Sequence, residues 1–374
     1  MTKILVVGGG LTSAVTTSLL SKSSQLMSTL ELSVWDKARG CGGRMSTSRM
    51  PTNSNCTADL GAQYITATPD YARRHSPFYD ELKSNGLLTP LKLLIEGQKA
   101  NCTGTIDYIC PLGSSSIVKH FFWQASVQVK FNTKVSKLEC ADTKWNVLTE
   151  SGESECFDAV ILTMPVPQIL ELISSSNLNT GNSNNNENGE LLASQLKSVQ
   201  YSSRYAIALF YDCDSDKGKE AIWKNIKLQN DACAKYITGD SIFRYVSLDS
   251  YKRSNDKVDQ TKSDGGVIMP VSVVFHSSVP FGIEHIEKTT EEVQPLLLRR
   301  INELFPSWPK PTAVKCQKWR FSQVQTAYPG GSGCIKLSEK PLLIAGGDAF
   351  THSNFDGCIR SAQAIVDTVF EDIL

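Results

Sequence analysis

The chain has 374 residues, of which 41% are hydrophobic and 20% charged, so it can bury a sizeable core and its length suggests about two domains. The 38 basic residues balance the 38 acidic ones without a basic stripe, which disfavours nucleic acid as a partner, and no apolar run indicates a transmembrane segment. Eleven cysteines without a Cys-x-x-Cys pair and five scattered histidines predict reduced, mostly buried thiols and no metal site.

The uncharged stretch from Ile4 to Leu20 allows two interpretations. It matches the apolar part of a secretion signal, and it also matches a strand over residues 3–7, a turn at Gly8–Gly10 and a following helix. No Ala-x-Ala cleavage site follows Leu20, and cleavage there would remove the glycine turn. We therefore favour the strand, turn and helix, and with them a cytoplasmic location.

The next predicted strand, residues 30–35, ends at Asp36, which lies 26 positions after Gly10. An acid at about this distance from a glycine turn accepts hydrogen bonds from a ribose in βαβ nucleotide-binding folds. Gly8 and Gly10 suit the tight turn and the close approach of a pyrophosphate to a helix N-terminus. Ser13 stands where the third glycine of Gly-x-Gly-x-x-Gly is expected, which weakens the motif.

Two further glycine-containing segments follow. The turn at residues 40–47 includes Arg44, which offers forked hydrogen bonds to phosphate. The segment Asp59-Leu60-Gly61-Ala62-Gln63-Tyr64 has small residues that would let a planar ligand lie against the backbone. Taken alone, either segment is more typical of an ordinary turn beside a buried strand.

The middle of the chain changes character. A polar Ser/Asn-rich stretch at 174–190 predicts a flexible surface loop, and a second polar stretch at 249–266 is expected to join two strands. Alternating and apolar patterns predict an antiparallel sheet covered by a helix. The predicted strands of this sheet are 205–211, 242–247 and 267–275, and the covering helix is 291–304. Segment 105–165 differs from the middle, with a predicted helix at 114–124 and predicted strands at 127–131, 135–140, 145–149 and 159–162.

Near the C-terminus, a strand at 341–345 runs into Gly346-Gly347-Asp348. Helical periodicity resumes at Cys358, so the helix is expected to begin after the loop at 353–357. A helix N-terminus at this point suits an electron-rich carbonyl or a ring that carries partial negative charge.

Together, these motifs resemble the flavin-containing amine oxidase superfamily, and more specifically those members that oxidise isomeric dihydronicotinamide dinucleotides. The resemblance spans nearly the whole chain and rests on residues 34–37, 42–45, 56–66, 162–167, 201–206, 315–320 and 353–358. It implies an α/β fold with a discontinuous Rossmann-like FAD-binding domain at 1–70, 105–165 and 313–374. An α+β substrate domain on an antiparallel sheet would occupy 71–104 and 166–312.

The resemblance also implies which residues contact the cofactor, non-covalent FAD. Asp36 would bind the adenosine ribose, Val135 would offer backbone groups to the adenine, and Asp348 would hold the ribityl chain. The remaining expected FAD contacts are Gly8, Gly10, Thr12, Lys37, Gly43, Arg44, Gln63 and Tyr64. For the substrate pocket the candidates are Arg244, His276, Trp319 and Arg320, although His276 and Trp319 equally suit core positions.

The implied reaction is oxidation of 2-dihydro and 6-dihydro NAD(P), with hydride passing to the flavin and electrons then to O2, giving NAD(P)+ and H2O2. This reaction needs no obligatory general base, which suits a sequence without a histidine-carboxylate motif. Two alternatives stay open. One is an amine oxidase with the same fold, and the other is a secreted signalling protein with an incidental flavin, for which Asn55-Cys56-Thr57 and Asn101-Cys102-Thr103 supply glycosylation sequons. The preference between NAD and NADP forms and the oligomeric state are also open.

Overall fold

The structure, a computed structural model, describes residues 1–22, 30–178, 186–212, 216–255 and 270–373. The α-helices in these ranges are α1 (Leu11–Lys22), α2 (Pro69–Arg74), α3 (Ser76–Ser84), α4 (Ser115–Gln124), α5 (Val166–Ser175), α6 (Asn186–Lys197), α7 (Asp216–Asn225), α8 (Asp249–Ser254), α9 (Val279–Glu284), α10 (Thr290–Leu304) and α11 (Phe355–Ile373). Short 3-10 turns occur at Gly43–Met45, Gln229–Asp231 and Asp348–Phe350.

The strands are numbered in chain order. They are β1 (Thr2–Val7), β2 (Leu30–Trp35), β3 (Thr47–Arg49), β4 (Thr57–Asp59), β5 (Ile65–Ala67), β6 (Thr89–Pro90), β7 (Ile95–Glu96), β8 (Ile106–Ile109), β9 (Val129–Lys130), β10 (Val135–Ala141), β11 (Lys144–Thr149), β12 (Ser154–Phe157), β13 (Ala159–Leu162), β14 (Gln200–Tyr201), β15 (Arg204–Tyr211), β16 (Ala234–Tyr236), β17 (Phe243–Leu248), β18 (Val271–Ser277), β19 (Ala313–Trp319), β20 (Val324–Thr326), β21 (Cys334–Glu339) and β22 (Leu342–Gly346).

The first of two compact units comprises residues 1–43, 117–201 and 323–374. Its six-stranded sheet has the order β21-β22-β13-β1-β2-β9, and all neighbouring pairs are parallel except β21 with β22. Strand β13 is buried along its whole length, as expected for an apolar strand inside a parallel sheet. The predicted β1, turn, α1 and β2 are therefore confirmed, and the fold class is the predicted α/β class.

The first unit also contains a three-stranded antiparallel sheet, β10-β11-β12, and a two-stranded pair, β14-β20. Aromatic side chains join the sheets into one core, because Trp35 of β2 meets Phe157 of β12 edge-on with ring centroids 5.4 Å apart. Helix α5 packs its apolar face, including Ile169 and Leu172, into the same core. The predicted strands over this part of the chain are confirmed with shifts of one or two residues at their ends.

The second unit comprises residues 44–116 and 202–322. Its six-stranded sheet has the order β19-β15-β18-β17-β16-β7 and is antiparallel apart from the pairing of β16 with β7. Helix α10 covers one face through Val293, Leu297 and Ile301, which lie in a core with apolar residues of β15, β17 and β18. The predicted antiparallel sheet with a covering helix is therefore confirmed. Smaller sheets, β3-β4 and β5-β8-β6, complete this unit.

Three local predictions differ from the structure. Helix α11 begins at Phe355 rather than near Cys358, because the Asn354 side chain caps it by accepting the Gly357 N–H at 2.7 Å. Residues 186–190 of the predicted loop belong to α6, while 179–185 lie outside the described residues. The second polar stretch begins with helix α8, and its residues from 256 onward lie outside the described part of the chain.

The cysteines are less buried than predicted. All ten that are described are free thiols: four are buried, three are half-buried, and Cys102, Cys140 and Cys156 are exposed. The exposed ones lie on solvent-facing edges of short strands and loops, where an unpaired side chain is not drawn into a core.

Candidate functional site

The glycine turn after β1, Gly8–Gly10, brings its backbone close to neighbouring parts of the chain and leaves space beside Gly10. Gly8 has φ +115°, and a Cβ there would lie 2.6 Å from Thr163 Oγ1. A Cβ on Gly9 would lie 2.9 Å from the Asp36 carboxylate, whereas a Cβ on Gly10 would meet no heavy atom within 4 Å. The turn is therefore closed on one side by its own chain and open beside Gly10.

Asp36 follows β2 and connects the turn to a second loop. The N–H of Gly9 donates to Oδ2, and the N–H of Ala38 donates to Oδ1 at 2.6 Å. Each carboxylate oxygen has one backbone donor and keeps acceptor capacity for a further donor such as a hydroxyl. The Asp36 carbonyl accepts the Thr133 N–H at 2.9 Å, which fixes the loop that leads into Val135 at the start of β10.

Helix α1 begins directly after the turn and has no acidic residue in its first turn, so the positive end of its dipole is not neutralised by its own side chains. Thr12 is 5% exposed and Ser13 is fully buried. Ser13 thus places a small, fully buried side chain where the third glycine is expected, and its hydroxyl has no hydrogen-bond partner within the described chain. Lys37 is exposed, and Gly43 has φ +53°.

A second turn of this unit follows β22. Gly347 has φ +128°, and its N–H donates to Ser361 Oγ of α11 at 2.7 Å. Asp348 comes next, only 6% exposed, and accepts from Ser353 Oγ at 2.7 Å. A glycine turn, an acceptor carboxylate after β2 and an uncompensated helix N-terminus fit a dinucleotide cofactor at the carboxyl ends of parallel strands.

In the second unit, Arg44 and Gly61 hold two segments together through their backbones. The Arg44 carbonyl accepts the Ala62 N–H at 2.9 Å, and a Cβ on Gly61 would lie 1.9 Å from that same carbonyl oxygen. Only glycine allows this approach. The Arg44 side chain is half-buried, and its guanidinium lies 3.5 Å from the Ser322 carbonyl.

The Gln63 amide is held at both ends. Its Nε2 donates to the carbonyls of Asp59 and, at 3.2 Å, Gly61, and its Oε1 accepts from Lys252 Nζ at 3.1 Å. Lys252 is itself buried, with a side chain 1% exposed, and forms an ion pair with Asp249 at 2.8 Å. Burial acts to raise the pKa of Asp249, but Arg253 and Lys252 outweigh it and hold that pKa below its usual value.

Tyr64, the neighbour of Gln63, belongs to an aromatic row. Its hydroxyl lies 2.5 Å from the hydroxyl of Tyr236, and burial together with that contact raises the pKa of Tyr64. Tyr236 meets Tyr245 edge-on at 5.1 Å, and Tyr245 meets His276 edge-on at 6.0 Å between ring centroids. Strand register produces this row, because Tyr236 pairs with Tyr245 and Tyr245 pairs with His276 across β16, β17 and β18.

His276 and Tyr245 have buried polar atoms that the described residues leave without hydrogen-bond partners, namely His276 Nε2 and the Tyr245 hydroxyl. Tyr245 is only 5% exposed, so its hydroxyl is shielded from bulk water. Burial, and then the charges of Arg204 and Lys252, lower the pKa of His276 to about 3, so its imidazole is neutral at physiological pH. Such unsatisfied buried groups are unusual in proteins and favour a site that a ligand or ordered water completes.

The other substrate-pocket candidates lie in different surroundings. Trp319 donates from Nε1 to the Leu60 carbonyl at 2.8 Å. The Arg244 guanidinium lies 5.6 Å from the ring centroid of Tyr236, an inner member of the aromatic row. Arg320 instead makes an exposed two-point ion pair with Glu287, at 2.8 and 3.0 Å.

Sequence reasoning assigned no role to four residues that the structure brings to these groups: Tyr236, Tyr245, Lys252 and Arg204. The tyrosines lie in short strands whose partners are set by register, and Lys252 lies in a polar stretch typical of a surface connection. Arg204 lies in segment 201–206 of the family resemblance and directly before the predicted strand 205–211; it begins a buried strand and is half-buried itself.

Comparison with protein families finds two matches. Residues 6–82 match the NAD(P)-binding Rossmann-like domain, and residues 107–369 match the flavin containing amine oxidoreductase family. No helix in the described ranges is both long and apolar enough to span a bilayer.

Individual relatives agree with the family matches. The chain is 39% identical over 366 residues to Renalase from Mus musculus, covering 98% of each chain. Among solved structures, it is similar to a protein assigned as a protoporphyrinogen oxidase from Exiguobacterium sp. 255-15, with a TM-score of 0.67, 12% identity and coverage of 98% of both chains. A redesigned putrescine oxidase gives a TM-score of 0.64 at 12% identity, covering 99% of both chains, and these two likenesses concern the fold alone.

Proposed function

Because the chain belongs to the flavin-containing amine oxidoreductase family and is a renalase homologue, we propose that this flavin-dependent oxidoreductase oxidises the 2-dihydro and 6-dihydro forms of NAD(P). FAD, when bound, accepts the hydride and passes the electrons to O2, so that the dihydro dinucleotide, O2 and a proton give NAD(P)+ and H2O2. The observation that carries the choice of substrate is the neutral His276 beside Tyr245, with polar atoms that have no hydrogen-bond partner among the described residues.

The first unit supplies the groups proposed to bind the nucleotide part of FAD. Gly8, Gly10 and the N-terminus of α1 would take the pyrophosphate, since backbone N–H groups and the helix dipole favour an anion there. Asp36 would accept from the ribose, and Asp348 would hold the ribityl chain. Thr12, Lys37, Gly43 and Val135 complete the proposed contacts in this unit.

The second unit supplies Arg44, Gln63 and Tyr64 as proposed contacts to FAD. It also carries the side chains proposed to orient the substrate. With the imidazole proton on Nδ1, His276 Nε2 would accept and the Tyr245 hydroxyl would donate, which together match the amide N–H and carbonyl of a carboxamide. Neither group needs to move a proton, because a dihydronicotinamide becomes aromatic by losing hydride alone.

Arg204 lies on the His276 side of the sheet, and its charge contributes, with that of Lys252, to the low pKa of His276. Its guanidinium donates to the hydroxyls of Ser202 and Ser322, at 3.1 and 3.3 Å. We propose Arg204, with Arg244, for the substrate phosphates. Arg204→Gln should raise the KM for the dinucleotide, whereas Arg320→Gln, which removes exposed contacts to Glu287 and to the Ile286 carbonyl, should leave it unchanged. Equal effects of both variants would contradict this assignment.

We further propose that the FAD is bound without a covalent bond. Some flavoenzymes of this family tether the ring to a cysteine shortly after a Trp and a Gly-Gly pair, but Cys334 lies 15 positions after Trp319, longer than such a tether is expected to be. Cys334 is also buried in β21 with its Sγ 3.4 Å from the Thr368 hydroxyl of α11. Acid precipitation should therefore leave the yellow colour in the supernatant. Colour that stays in the pellet of the wild type but not of Cys334→Ala would contradict the proposal.

Anaerobic stopped-flow mixing tests the substrate. We expect 2-dihydro and 6-dihydro NAD(P) to bleach the visible absorbance of the flavin within seconds, with ordinary 4-dihydro NADH and catecholamines far slower.

The second candidate, an amine oxidase, is favoured by the tyrosine row, since aromatic rings can flank an amine. Tyr236 and Tyr245, however, pack edge-on at 64° and leave no slot of parallel rings. Faster bleaching by dopamine or adrenaline would overturn the dinucleotide assignment.

A cytoplasmic location is part of this proposal. Residues 2–22 form β1 and α1, and β1 is paired on both sides inside the parallel sheet, so their removal would open that sheet. Fractionation of native material tests it, and recovery of the chain in a secretory compartment would contradict it.

A further inference from the structure

Lys252 is a buried lysine for which neither the family matches nor the sequence motifs give a role. Its side chain is 1% exposed, on the short helix α8 of the second unit. Burying an ammonium is costly unless it is paired and hydrogen-bonded. Lys252 meets both conditions, with Asp249 at 2.8 Å and the Gln63 carbonyl oxygen at 3.1 Å.

The ion pair with Asp249 does not by itself account for this lysine. Asp249 also pairs with Arg253, and its Oδ2 accepts the Asp59 N–H at 3.1 Å. Arg253 in turn donates to the hydroxyl and carbonyl of Thr57. Asp249 therefore already has a buried cation that joins it to β4. The contact that belongs to Lys252 alone is the one with Gln63.

That contact decides which way the Gln63 amide faces. The amide nitrogen donates to the carbonyls of Asp59 and Gly61, and the amide oxygen faces the ammonium. A flipped amide would place its NH2 against the ammonium and its oxygen against two carbonyls, which are repulsive contacts. Lys252 thus fixes the amide, and the amide fixes the turn from Asp59 to Tyr64.

We propose that Lys252 is a positioning residue for the flavin, acting through Gln63 rather than by contact of its own. The inference rests on the proposed FAD site, in which Gln63 and Tyr64 face the ring. Without Lys252 the Gln63 amide is free to rotate, because only its bonds to the Asp59 and Gly61 carbonyls remain. Gln63 and Tyr64, the residues proposed to face the flavin, are then no longer held in one arrangement. Bound FAD would then be held more weakly and would be harder to reduce.

The experiment compares Lys252→Met and Gln63→Leu with the wild type, using FAD affinity and the reduction potential and visible spectrum of the bound flavin. Both variants should bind FAD about tenfold more weakly, the effect of losing one hydrogen bond to a charged group. Both substitutions should also lower the reduction potential of the bound flavin, since the flavin is expected to be harder to reduce. Because no dihydronicotinamide is added, an error in the proposed substrate does not affect the outcome.

Lys235→Met is the matched control, since Lys235 forms a lysine-carboxylate pair of the same length, 2.8 Å to Glu96, in the same unit. It should leave potential and spectrum unchanged. The double variant Lys252→Met/Gln63→Leu should be no worse than either single variant, because both remove one interaction.

Additive losses of FAD affinity in the double variant would overturn the proposal. A lowered reduction potential in Lys252→Met together with an unchanged potential in Gln63→Leu would also overturn it, because that result would show a direct effect of the Lys252 charge on the flavin. Should Lys252→Met fail to fold, Gln63→Leu decides alone: it keeps every buried charge, and an unchanged potential and spectrum in this variant would overturn the proposal.

Discussion

His276 should make the stability of this protein depend on pH in a window that its surroundings set. Burial and the charges of Arg204 and Lys252 lower its pKa to about 3, whereas a histidine in an unfolded chain titrates near 6.5. Between these values the unfolded state binds a proton that the folded state does not. Stability is therefore complete above pH 6.5 and falls as the pH decreases toward 3.

The size of the effect follows from the two pKa values. One pKa unit corresponds to about 1.4 kcal/mol, so the whole window is worth at most about 5 kcal/mol. At pH 5 the unfolded histidine is almost fully protonated and the folded one almost fully neutral. His276 alone should then cost about 2 kcal/mol relative to pH 8.

Urea unfolding at pH 8 and pH 5 measures this cost. The difference in unfolding free energy between the two pH values should be about 2 kcal/mol smaller in His276→Gln than in the wild type, because glutamine does not titrate. His352→Gln is the control, since that imidazole is exposed, and it should keep the wild-type difference. Equal pH dependence in His276→Gln and the wild type would refute the reasoning that His276 is neutral in the fold.

Three further substitutions test the architecture. Arg44→Ala should weaken FAD binding by about 2 to 5 kcal/mol while thermal unfolding stays cooperative, and full flavin retention after dialysis would make Arg44 merely structural. Gly61→Ala should cost about 1 to 3 kcal/mol of stability in chemical denaturation, because its Cβ would meet a carbonyl oxygen at 1.9 Å, whereas Gly40→Ala, which meets nothing within 4 Å, should be close to neutral. Asp249→Asn should cost about 3 to 5 kcal/mol by leaving buried cations without their carboxylate, while Glu287→Gln at the exposed ion pair should change little; similar midpoints for the two would contradict the burial argument.

Sequence patterns predicted the first unit best, because its signals are local. Strand β2 covers the predicted residues 30–35, and Asp36 follows it in the turn where an acid was expected. A glycine turn between a strand and a helix is determined by residues within a few positions of one another. The N-terminus of α11 was placed three residues late because its buried first turn contains Asp356 and Gly357, which add nothing to an apolar periodicity, while its start is set by the Asn354 cap.

The aromatic row could not be predicted in this way. Tyr236, Tyr245 and His276 are brought together by the register of three strands, and register depends on side-chain packing across the whole sheet. Lys252 meets Gln63 from 189 positions away, in a polar stretch whose composition is typical of a surface connection. The burial of Lys252 depends on its contacts with both Asp249 and Gln63, and a local sequence pattern does not predict these two contacts together.

The two arginines near the end of β19 show how strand geometry separates side chains that sequence places together. Arg204 pairs with Trp319 across β15 and β19, and Ala206, two residues further along β15, pairs with His276. Since side chains two apart on a strand share a face, Arg204, Ala206 and His276 lie on one side of the sheet. Arg320 follows Trp319 directly and is held by Glu287 in an exposed ion pair. The alternation of side chains therefore places a cation, Arg204, on the His276 face of the sheet, whereas the Arg320 guanidinium is engaged by Glu287.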